Sequence, residues 1–184
     1  MRPLILLLTA LVLPLAAGKV SFDKDDRFSL EFPDTWVKAK TNRSEALVYR
    51  QHKDGDASFT VTGLSVPAGR RADLHATLKT LVNAFKQANM TVLGDVNGQE
   101  GEVDAKKAVF GVVPATLKIE DQTTDLRFFL VLIEASERII ILEAALPASA
   151  PNELRGECRK IIGSFHEKGA DDAQKKEDED KDGE

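Results

Sequence analysis

Two apolar runs in the second half of the chain form the clearest hydrophobic pattern of the sequence. They lie between Leu126 and Leu146 and are separated by the short polar segment from Glu134 to Arg138. Both runs are rich in β-branched and aromatic residues, which predicts a β-hairpin. Because neither run alternates cleanly between apolar and polar residues, both faces of the hairpin need a cover. We therefore expect this hairpin at the centre of a sheet.

Two amphipathic helices are predicted, one before the hairpin and one after it. Asp73 is the expected N-cap of the first helix, and Ser149 is the expected cap of the second, with Pro151 in its first turn. One apolar stripe for each sheet face predicts an α+β fold, namely an α/β/α sandwich with a central, mainly antiparallel sheet and two principal helices. The two stripes share the same spacing and consist of Leu74, Leu78, Leu81, Val82 and Phe85, and of Leu154, Cys158, Ile161, Ile162 and Phe165.

Shorter strands are predicted elsewhere from alternation or from β-rich composition. Asp54-Gly55 is typical of a tight hairpin turn, because glycine tolerates positive φ. Lys19–Asp26 is expected to be a polar lead-in, Glu100–Lys106 a polar turn region, and Pro114 is expected to interrupt a strand. The predicted strands are Phe28–Phe32, Ala46–Gln51, Ser58–Val66, Met90–Val96 and Lys107–Val113.

The first residues predict a secretory signal peptide. Arg2 supplies a positive charge, Leu4–Leu13 forms an apolar run, and small residues follow up to Gly18. The run is too short to span a membrane, and no other segment is predicted to do so. Cleavage is expected after Ala17 or Gly18, and the alternative is an uncleaved anchor or a buried N-terminal helix. The processed chain is therefore expected to be exported, periplasmic or extracellular.

The last residues differ sharply in composition from the rest. Residues 167–184 hold nine acids and four lysines, so their net charge of −5 equals that of the whole chain. Such a segment has too few apolar residues to fold, which predicts an acidic disordered tail. Asp178-x-Asp180-x-Asp182-Gly183 resembles the start of a calcium-binding loop, but the closing bidentate glutamate is missing, so no metal site is assigned. The expected organisation is a signal peptide at 1–18, a globular domain at 19–166 and the tail at 167–184.

No motif in the chain names a reaction, and no catalytic, cofactor-binding or metal-binding residue is assigned. Cys158 lies on the apolar stripe of a predicted helix, where a role in packing explains it better than a role in catalysis. Because it is the single cysteine of the chain, no intramolecular disulfide can form. His52, His75 and His166 lack the spacing of metal ligands. The net charge of −5 provides no basic stripe, so a nucleic-acid partner is not expected.

Three residues outside the apolar pattern merit an assignment. Arg70 and Arg71, just before the first predicted helix, are candidate binding residues for an anionic ligand or an acidic patch of a partner, although exposed arginines are more often simply solvated. Trp36 follows a Pro-Asp-Thr turn. It is expected to be a structural anchor at the sheet edge, whereas an exposed position would indicate an interface.

The segment Phe28–Trp36, read as Phe-Ser-Leu-Glu-Phe-Pro-Asp-Thr-Trp, resembles the N-terminal element of PsbP-like proteins, including the bacterial DcrB-like group. The order of the predicted elements from Phe22 to Phe165 is also similar. The resemblance implies an α/β/α sandwich around an antiparallel sheet. It also implies a non-catalytic accessory or interaction role, in photosystem II for the plant members and in the envelope for the bacterial ones. No residue role is transferred, because no binding motif matches.

The sequence therefore supports three hypotheses. The first is an exported, non-enzymatic accessory or interaction module of the cell envelope, which binds a protein or an envelope component. The second is a carrier of a small apolar ligand, with a pocket between a helix and the sheet. The third is a hydrolase whose catalytic residues are dispersed along the chain, which requires a nucleophile and a base within hydrogen-bond reach.

Overall fold

The computed structural model describes residues 18–23, 26–67, 70–88 and 90–169. The predicted signal peptide up to residue 17 and the predicted tail from residue 170 onward, including the calcium-loop-like aspartates, lie outside the described residues. Within the described ranges, neither helix is long and apolar enough to cross a membrane.

The described chain forms two helices and eleven strands, and all its strand pairs are antiparallel. The helices are α1 (Leu74–Gln87) and α2 (Asn152–Gly163). The strands are β1 (Gly18–Phe22), β2 (Phe28–Phe32), β3 (Trp36–Lys38), β4 (Ala46–His52), β5 (Ser58–Ser65), β6 (Met90–Val92), β7 (Gln99–Val103), β8 (Lys106–Ile119), β9 (Gln122–Ala135), β10 (Arg138–Pro147) and β11 (His166–Glu167).

Eight of these strands form the main sheet, in the order β3-β4-β5-β10-β9-β8-β6, with β7 also paired to β8. The predicted central hairpin is confirmed as β9 and β10, which pair from Ala135 and Arg138 to Leu126 and Pro147. Only two residues form its turn, and the second, Glu137, has a φ of 62°. A mainly antiparallel sheet with two helices confirms the α+β class.

Alternate residues of the central strands pack into two separate apolar clusters. Leu130 and Leu132 of β9 share one cluster with α1, whereas Val131 and Ile133 share the other with α2. The second cluster also contains Phe28 and most of the apolar residues of the small sheet β1-β2-β11. One face of the hairpin is therefore covered by a helix, and the other by a helix together with a small sheet.

The small sheet was missed at both ends of the domain. Lys19–Asp26 was expected to be a polar lead-in, but Gly18–Phe22 pairs with β2 as strand β1. Glu167 was assigned to the acidic tail, but it lies in β11 and is buried, with its carboxylate 2.7 Å from Lys106 Nζ. The charge of Glu167 favoured an exposed position. A local sequence pattern cannot reveal a lysine partner that is 61 positions away.

Strand β8 continues through Pro114, contrary to the predicted interruption. The carbonyl of Pro114 accepts a hydrogen bond from the Leu93 N–H, on the side of β6. In an antiparallel strand the nitrogen and the carbonyl of one residue point to the same side, so the N–H that proline lacks is not needed for pairing with β9. The ladder with β9, in which Pro114 is paired with Arg127, is therefore kept. The predicted turn region before β8 is mostly strand β7, and the turn itself is Asp104-Ala105.

One of the two predicted helix caps is confirmed. The Asp73 carboxylate accepts a hydrogen bond of 2.8 Å from the Ala76 N–H at the start of α1. The prediction of Ser149 for α2 is wrong, because the cap is Pro151, which makes no side-chain cap hydrogen bond. Ser149 instead lies in a turn that the Ala150 N–H closes by donating to the Pro147 carbonyl.

Candidate functional site

An apolar groove lies between α2 and the central sheet. Its floor includes Phe110 and Val112 of β8 and Phe129 of β9, and its α2 wall includes Ile162. The volume is about 610 Å³. This lies within the roughly 300–1,000 Å³ typical of binding pockets. The groove is therefore large enough to accept apolar side chains of a ligand or a partner.

The groove exists because α2 and the small sheet cover this face of the main sheet less completely toward the sheet edge. Ala144, Phe129 and Val112 are cross-strand neighbours in one row from β10 to β8. Ala144 is fully buried, Phe129 is half-buried and Val112 is 48% exposed. The apolar sheet face thus continues beyond the elements that cover it.

Strand β7, which pairs with the floor strand β8, and the turn after it border the groove at the edge of the sheet. Val103 and Asp104 line this border. A Cβ at Gly101 would come within 2.8 Å of Phe110 Cε2, so the glycine allows the Phe110 ring to lie over β7. An aromatic ring over an edge glycine stabilises a strand pair and shapes its surface. Gly101 thereby fixes the position of one floor residue.

The end of β11 lies beside Asp104, at the border of the groove. Asp104 accepts a hydrogen bond of 2.8 Å from the Glu167 N–H, and its other carboxylate oxygen lies 3.2 Å from His166 Nδ1. The Glu167 carboxylate contacts Lys106 Nζ and the Ser136 N–H. These contacts connect the groove rim, two turns of the main sheet and the C-terminal strand.

The predicted binding residues Arg70 and Arg71 do not lie in this groove. Both are exposed near the start of α1, and they border two different depressions, of about 570 Å³ and about 410 Å³. The first depression also contains Arg138, which is paired with the carboxylate of Asp23 at 2.9 Å. Glu134 borders both depressions, so the local charge is mixed. The role of the two arginines in binding stays a prediction.

Trp36 is a structural anchor, as predicted. It is the first residue of the edge strand β3 and only 3% of its surface is exposed. Its indole lies edge-on to the rings of Phe59 and His52, with centroid distances of 6.3 and 5.6 Å. Its Nε1 donates a hydrogen bond of 2.8 Å to the Glu157 carboxylate of α2.

The contacts of Cys158, His75 and His166 bear on the hydrolase hypothesis. Burial, helped by the charge of Glu157, raises the pKa of the Cys158 thiol to about 12, so it stays protonated at neutral pH. His75 Nε2 lies 3.3 Å from the Glu100 carboxylate, while His166 contacts Asp104. Neither contact pairs a base with a nucleophile. Among the described residues, no three His, Cys, Asp or Glu side chains are grouped to hold a metal ion.

Sequence reasoning missed the groove residues Phe110 and Val112. Both belong to a strand that is apolar on its two faces, since Val109 and Val113 pack into the α1 cluster. A two-sided apolar strand near the sheet edge was the available signal. The sequence does not reveal that α2 and the small sheet leave this region uncovered.

Comparison with known proteins identifies the fold. No protein-family model and no curated protein sequence matches the chain. Among solved structures, cyanobacterial PsbP (CyanoP) from Synechocystis sp. PCC 6803 is similar with a TM-score of 0.61 at 12% identity, over 86% of this chain and 96% of that one. The Ran-binding protein Mog1p of Saccharomyces cerevisiae is similar with a TM-score of 0.54 at 12% identity, over 82% and 96%.

A third similar structure is LpqN of Mycobacterium tuberculosis, described as involved in cell envelope biogenesis. Its TM-score is 0.50 at 14% identity, over 76% of this chain and 82% of that one. Identities this low show a shared fold and nothing more. The chain has a PsbP-like fold, which confirms at the level of the fold the resemblance seen in Phe28–Trp36.

Proposed function

We propose that this chain is an exported, non-enzymatic interaction module of the cell envelope, and that it binds an apolar segment of a partner protein in the groove beside α2. The exposed floor is the observation that carries the proposal, because Val112 extends a buried cross-strand row into solvent. The fold supports it by analogy, since Mog1p binds Ran and LpqN is involved in envelope biogenesis.

We further propose that the scaffold of this groove is an α/β/α sandwich, the arrangement that the resemblance implies. The support is that alternate residues of β9 pack with α1 on one side and with α2 on the other. A groove floor on the middle layer of such a sandwich is held by strand pairing on both sides of Phe129. A preformed floor of this kind lowers the ordering cost of binding.

Site-resolved photocrosslinking in the envelope tests the binding surface. A photoreactive amino acid is placed at position 112 and, as a matched control, at position 64, because Leu64 is 44% exposed but pairs with Ile139 of the α1 cluster. We expect a discrete protein adduct from position 112 and none from position 64. Adding Phe129→Glu should lower the adduct yield about tenfold, since a charge is then placed on the floor.

Other occupants of the groove give different adducts. Equal labelling from both positions, or no protein adduct from position 112, overturns the proposal. An adduct with a second copy of the chain indicates dimerisation instead. The Arg70→Ala/Arg71→Ala variant should leave the adduct at position 112 unchanged, whereas its loss would assign binding to the arginine depressions.

A small apolar ligand is the second candidate function, because the groove volume of about 610 Å³ suits one. Ligand pockets usually bury more than about 70% of their ligand, whereas this groove is open at Val112. Native mass spectrometry of the purified chain distinguishes the two functions. A retained apolar molecule that is lost in Phe129→Glu would favour the carrier over the interaction module.

Export is tested by the N-terminus of the processed protein. Cleavage after Ala17 or Gly18 is proposed from the sequence pattern, and either site preserves the pairing of Lys19–Phe22 with β2. Mass spectrometry of the chain from the envelope fraction should find Gly18 or Lys19 as the first residue. A chain that keeps Leu4–Leu13 and stays in the cytoplasm would contradict export.

A further inference from the structure

Strand β7 borders the groove and has an outer edge, on the side away from β8, that no strand of the described chain pairs with. Val103 and Lys106 flank the two-residue turn Asp104-Ala105 and are paired across it. Residues that flank such a turn form a hydrogen-bonded pair, and this pairing alternates along the strand. The N–H and C=O groups of Glu100 and Glu102 therefore point away from the sheet.

The outer edge of β7 is open to another chain. Every residue of β7 before Val103 is exposed, and the Glu100 side chain is 82% exposed. Among the described residues, no turn or loop forms a backbone hydrogen bond with Glu100 or Glu102. An unpaired edge of this kind is a template on which an extended segment can add as a further strand.

Charges alternate across the strands on the face of the sheet that carries α1. Glu102 is paired with Lys107 of β8, and Lys107 and Glu134 of β9 border the same depression beside the start of α1. The sign thus changes from negative to positive to negative between β9 and β7. Opposite charges on neighbouring strands stabilise a sheet, whereas like charges directly opposite destabilise it. A strand added beside β7 therefore suits a positive side chain opposite Glu102.

Glu100 calls for the same charge. It lies two positions before Glu102 and so on the same face, where it borders the depression that Lys107 lines. His75 Nε2, on the α1 side, lies 3.3 Å from its carboxylate. A basic residue on an added strand would contact Glu100 from the open side.

The groove face offers an apolar contact between these two acids. Gly101 has no side chain there, and the Phe110 ring lies over it, since a Cβ at Gly101 would come within 2.8 Å of Phe110 Cε2. The ring is half-buried and belongs to the groove floor. A large apolar side chain opposite Gly101 would cover the part of this ring that is nearest the edge.

A second copy of this chain does not suit the edge. Two antiparallel copies of β7 centred on Gly101 would place Glu100 of each copy opposite Glu102 of the other. Like charges directly opposite each other destabilise a strand pair, and charged side chains are a usual means by which proteins prevent pairing of their own edges. The two acids thus disfavour self-association and favour a basic strand.

We infer that the partner segment adds to the outer edge of β7 as an extended, antiparallel strand with the pattern basic–apolar–basic. Its two Lys or Arg residues lie opposite Glu100 and Glu102 and exchange backbone N–H and C=O hydrogen bonds with them. Its large apolar residue lies opposite Gly101 and contacts the ring of Phe110. This inference rests on the proposed function, for which it names the conformation and the chemistry of the segment at the groove border.

The probe is a short fluorescent peptide with Lys-Phe-Lys at its centre and threonines on both sides, and its binding to the full processed chain is followed by fluorescence anisotropy. One set of matched peptides carries a single N-methyl group, on either lysine or on the phenylalanine. In the inferred pairing the lysine N–H groups face β7, whereas the phenylalanine N–H faces away. A further peptide has Glu-Phe-Glu at its centre.

N-methylation of either lysine should weaken binding about tenfold, because it removes a backbone hydrogen bond and keeps the side chain. N-methylation of the phenylalanine should leave the affinity nearly unchanged. The Glu100→Lys/Glu102→Lys variant should lose the Lys-Phe-Lys peptide and bind the Glu-Phe-Glu peptide instead. Gain of the second peptide also shows that the variant is folded.

Amide hydrogen exchange measured by NMR gives a readout at the edge itself. Bound peptide should slow exchange of the Glu100 and Glu102 amides at least about tenfold, because both then donate to the peptide. The amide of Lys38, on the opposite edge strand β3, is the control and should not change.

Failure of the strand pairing is distinguishable from failure of the proposed function. Equal effects of the lysine and phenylalanine N-methyl groups, unchanged exchange at Glu100 and Glu102, or no binding of the Lys-Phe-Lys peptide overturns the inference. A charge-reversed variant that still binds this peptide overturns the pairing of charges and with it the inference. The proposed function fails separately, through the absence of an adduct from position 112, because Val112 lies on β8 and not on the outer edge of β7.

Discussion

Trp36 Nε1 donates a hydrogen bond of 2.8 Å to Oε2 of Glu157, a residue of α2 that is 121 positions away in the sequence. The Thr35 hydroxyl donates to the same oxygen at 2.9 Å. The Trp36 N–H also closes the preceding turn by donating to the Pro33 carbonyl. The Phe-Pro-Asp-Thr-Trp element is therefore a fixed corner to which α2 is attached, and α2 in turn forms one wall of the groove.

Removing the acceptor of this corner should destabilise the fold. Glu157→Ala leaves the buried indole N–H without its partner, and we expect a loss of about 1–3 kcal/mol in the free energy of unfolding. Glu157→Gln keeps an acceptor oxygen and should lose less than half of that. Urea unfolding followed by circular dichroism measures both variants. Equal losses for Ala and Gln would show that packing, and not the hydrogen bond, accounts for the effect.

A second buried contact involves the central strand β10. Glu143 is 8% exposed, and Arg43 Nη1 lies 2.7 Å from its carboxylate. Burial alone would lower the pKa of Arg43. The hydrogen bond to Glu143 and the charge of Glu143 outweigh burial and raise this pKa above its ordinary value. Arg43→Met leaves the carboxylate without a counter-charge. Because the Arg43 side chain is 40% exposed, water screens the pair, and we expect a loss of about 1–3 kcal/mol.

The double variant Arg43→Met/Glu143→Gln is the control for this pair. Removing both charges should recover at least about half of the stability that Arg43→Met loses. Equilibrium unfolding in urea gives the comparison. A double variant that is less stable than Arg43→Met alone would contradict the idea that an unpaired buried charge causes the loss.

Cys158 should make the fold less stable as the pH rises in the alkaline range. Burial first, and then the charge of Glu157, raises its pKa to about 12. In the unfolded chain the thiol ionises near pH 8.5, roughly. Between these two pKa values the folded chain keeps a proton that the unfolded chain releases. The contribution of the neutral thiol to the free energy of unfolding is complete below the unfolded pKa and is lost as the pH rises through the folded pKa.

The comparison of unmodified chain and Cys158→Ala isolates this effect. Between about pH 8 and pH 10.5, the free energy of unfolding should fall less steeply in Cys158→Ala than in the unmodified chain, because the other titrating groups are common to both. In addition, a thiol reagent at about pH 8 should modify the folded chain at least a hundredfold more slowly than the urea-unfolded chain. Parallel pH profiles together with fast modification would contradict the buried thiol.

Elements that depend on nearby residues were predictable from the sequence. The central hairpin, the stripe of α1, the stripe of α2 up to Ile162 and the Asp73 cap each follow from residues that are close in sequence, whereas Phe165 lies beyond the end of α2. Strand β1 is an exception, because its partner β2 begins only six positions after Phe22, but the charged residues between Lys19 and Asp26 obscured its apolar positions. Glu167 was missed because its position depends on a distant partner, Lys106. The cap of α2 was misplaced because Ser149 is engaged in a turn, which only the fold determines.

The groove was not predictable for a related reason. The apolar character of Phe110 and Val112 was visible, but their exposure depends on where α2 and the small sheet end. Composition likewise suggested Arg70 and Arg71 as binding residues. Their exposed positions on two depressions give no physical preference for a ligand, because Glu134 borders both.

Two glycines should respond to alanine in opposite directions. At Gly98 a Cβ would come within 2.5 Å of Val109 Cγ1 and 2.9 Å of Leu78 Cδ2, and both neighbours are buried where α1 packs on the sheet. Gly98→Ala should therefore destabilise the fold by about 1–3 kcal/mol through overpacking. At Gly156, inside α2, a Cβ meets no atom within 4 Å apart from the neighbouring backbone of the helix itself. Gly156→Ala should stabilise the fold by about 0.5–1 kcal/mol, since alanine loses less backbone entropy in a helix.

Thermal unfolding of the two glycine variants measures both effects in one experiment. For a chain of this size, about 1 kcal/mol shifts Tm by roughly 2–4 °C, so Gly98→Ala should lower Tm and Gly156→Ala should raise it. The Gly98→Ala/Leu78→Ala double variant tests the mechanism, because removing the Leu78 methyl groups relieves one of the two close contacts. Its loss should be smaller than the sum of the two single losses. Strict additivity would mean that the Cβ at Gly98 does not press on Leu78, and that α1 lies farther from the β6–β7 connection than the packing here requires.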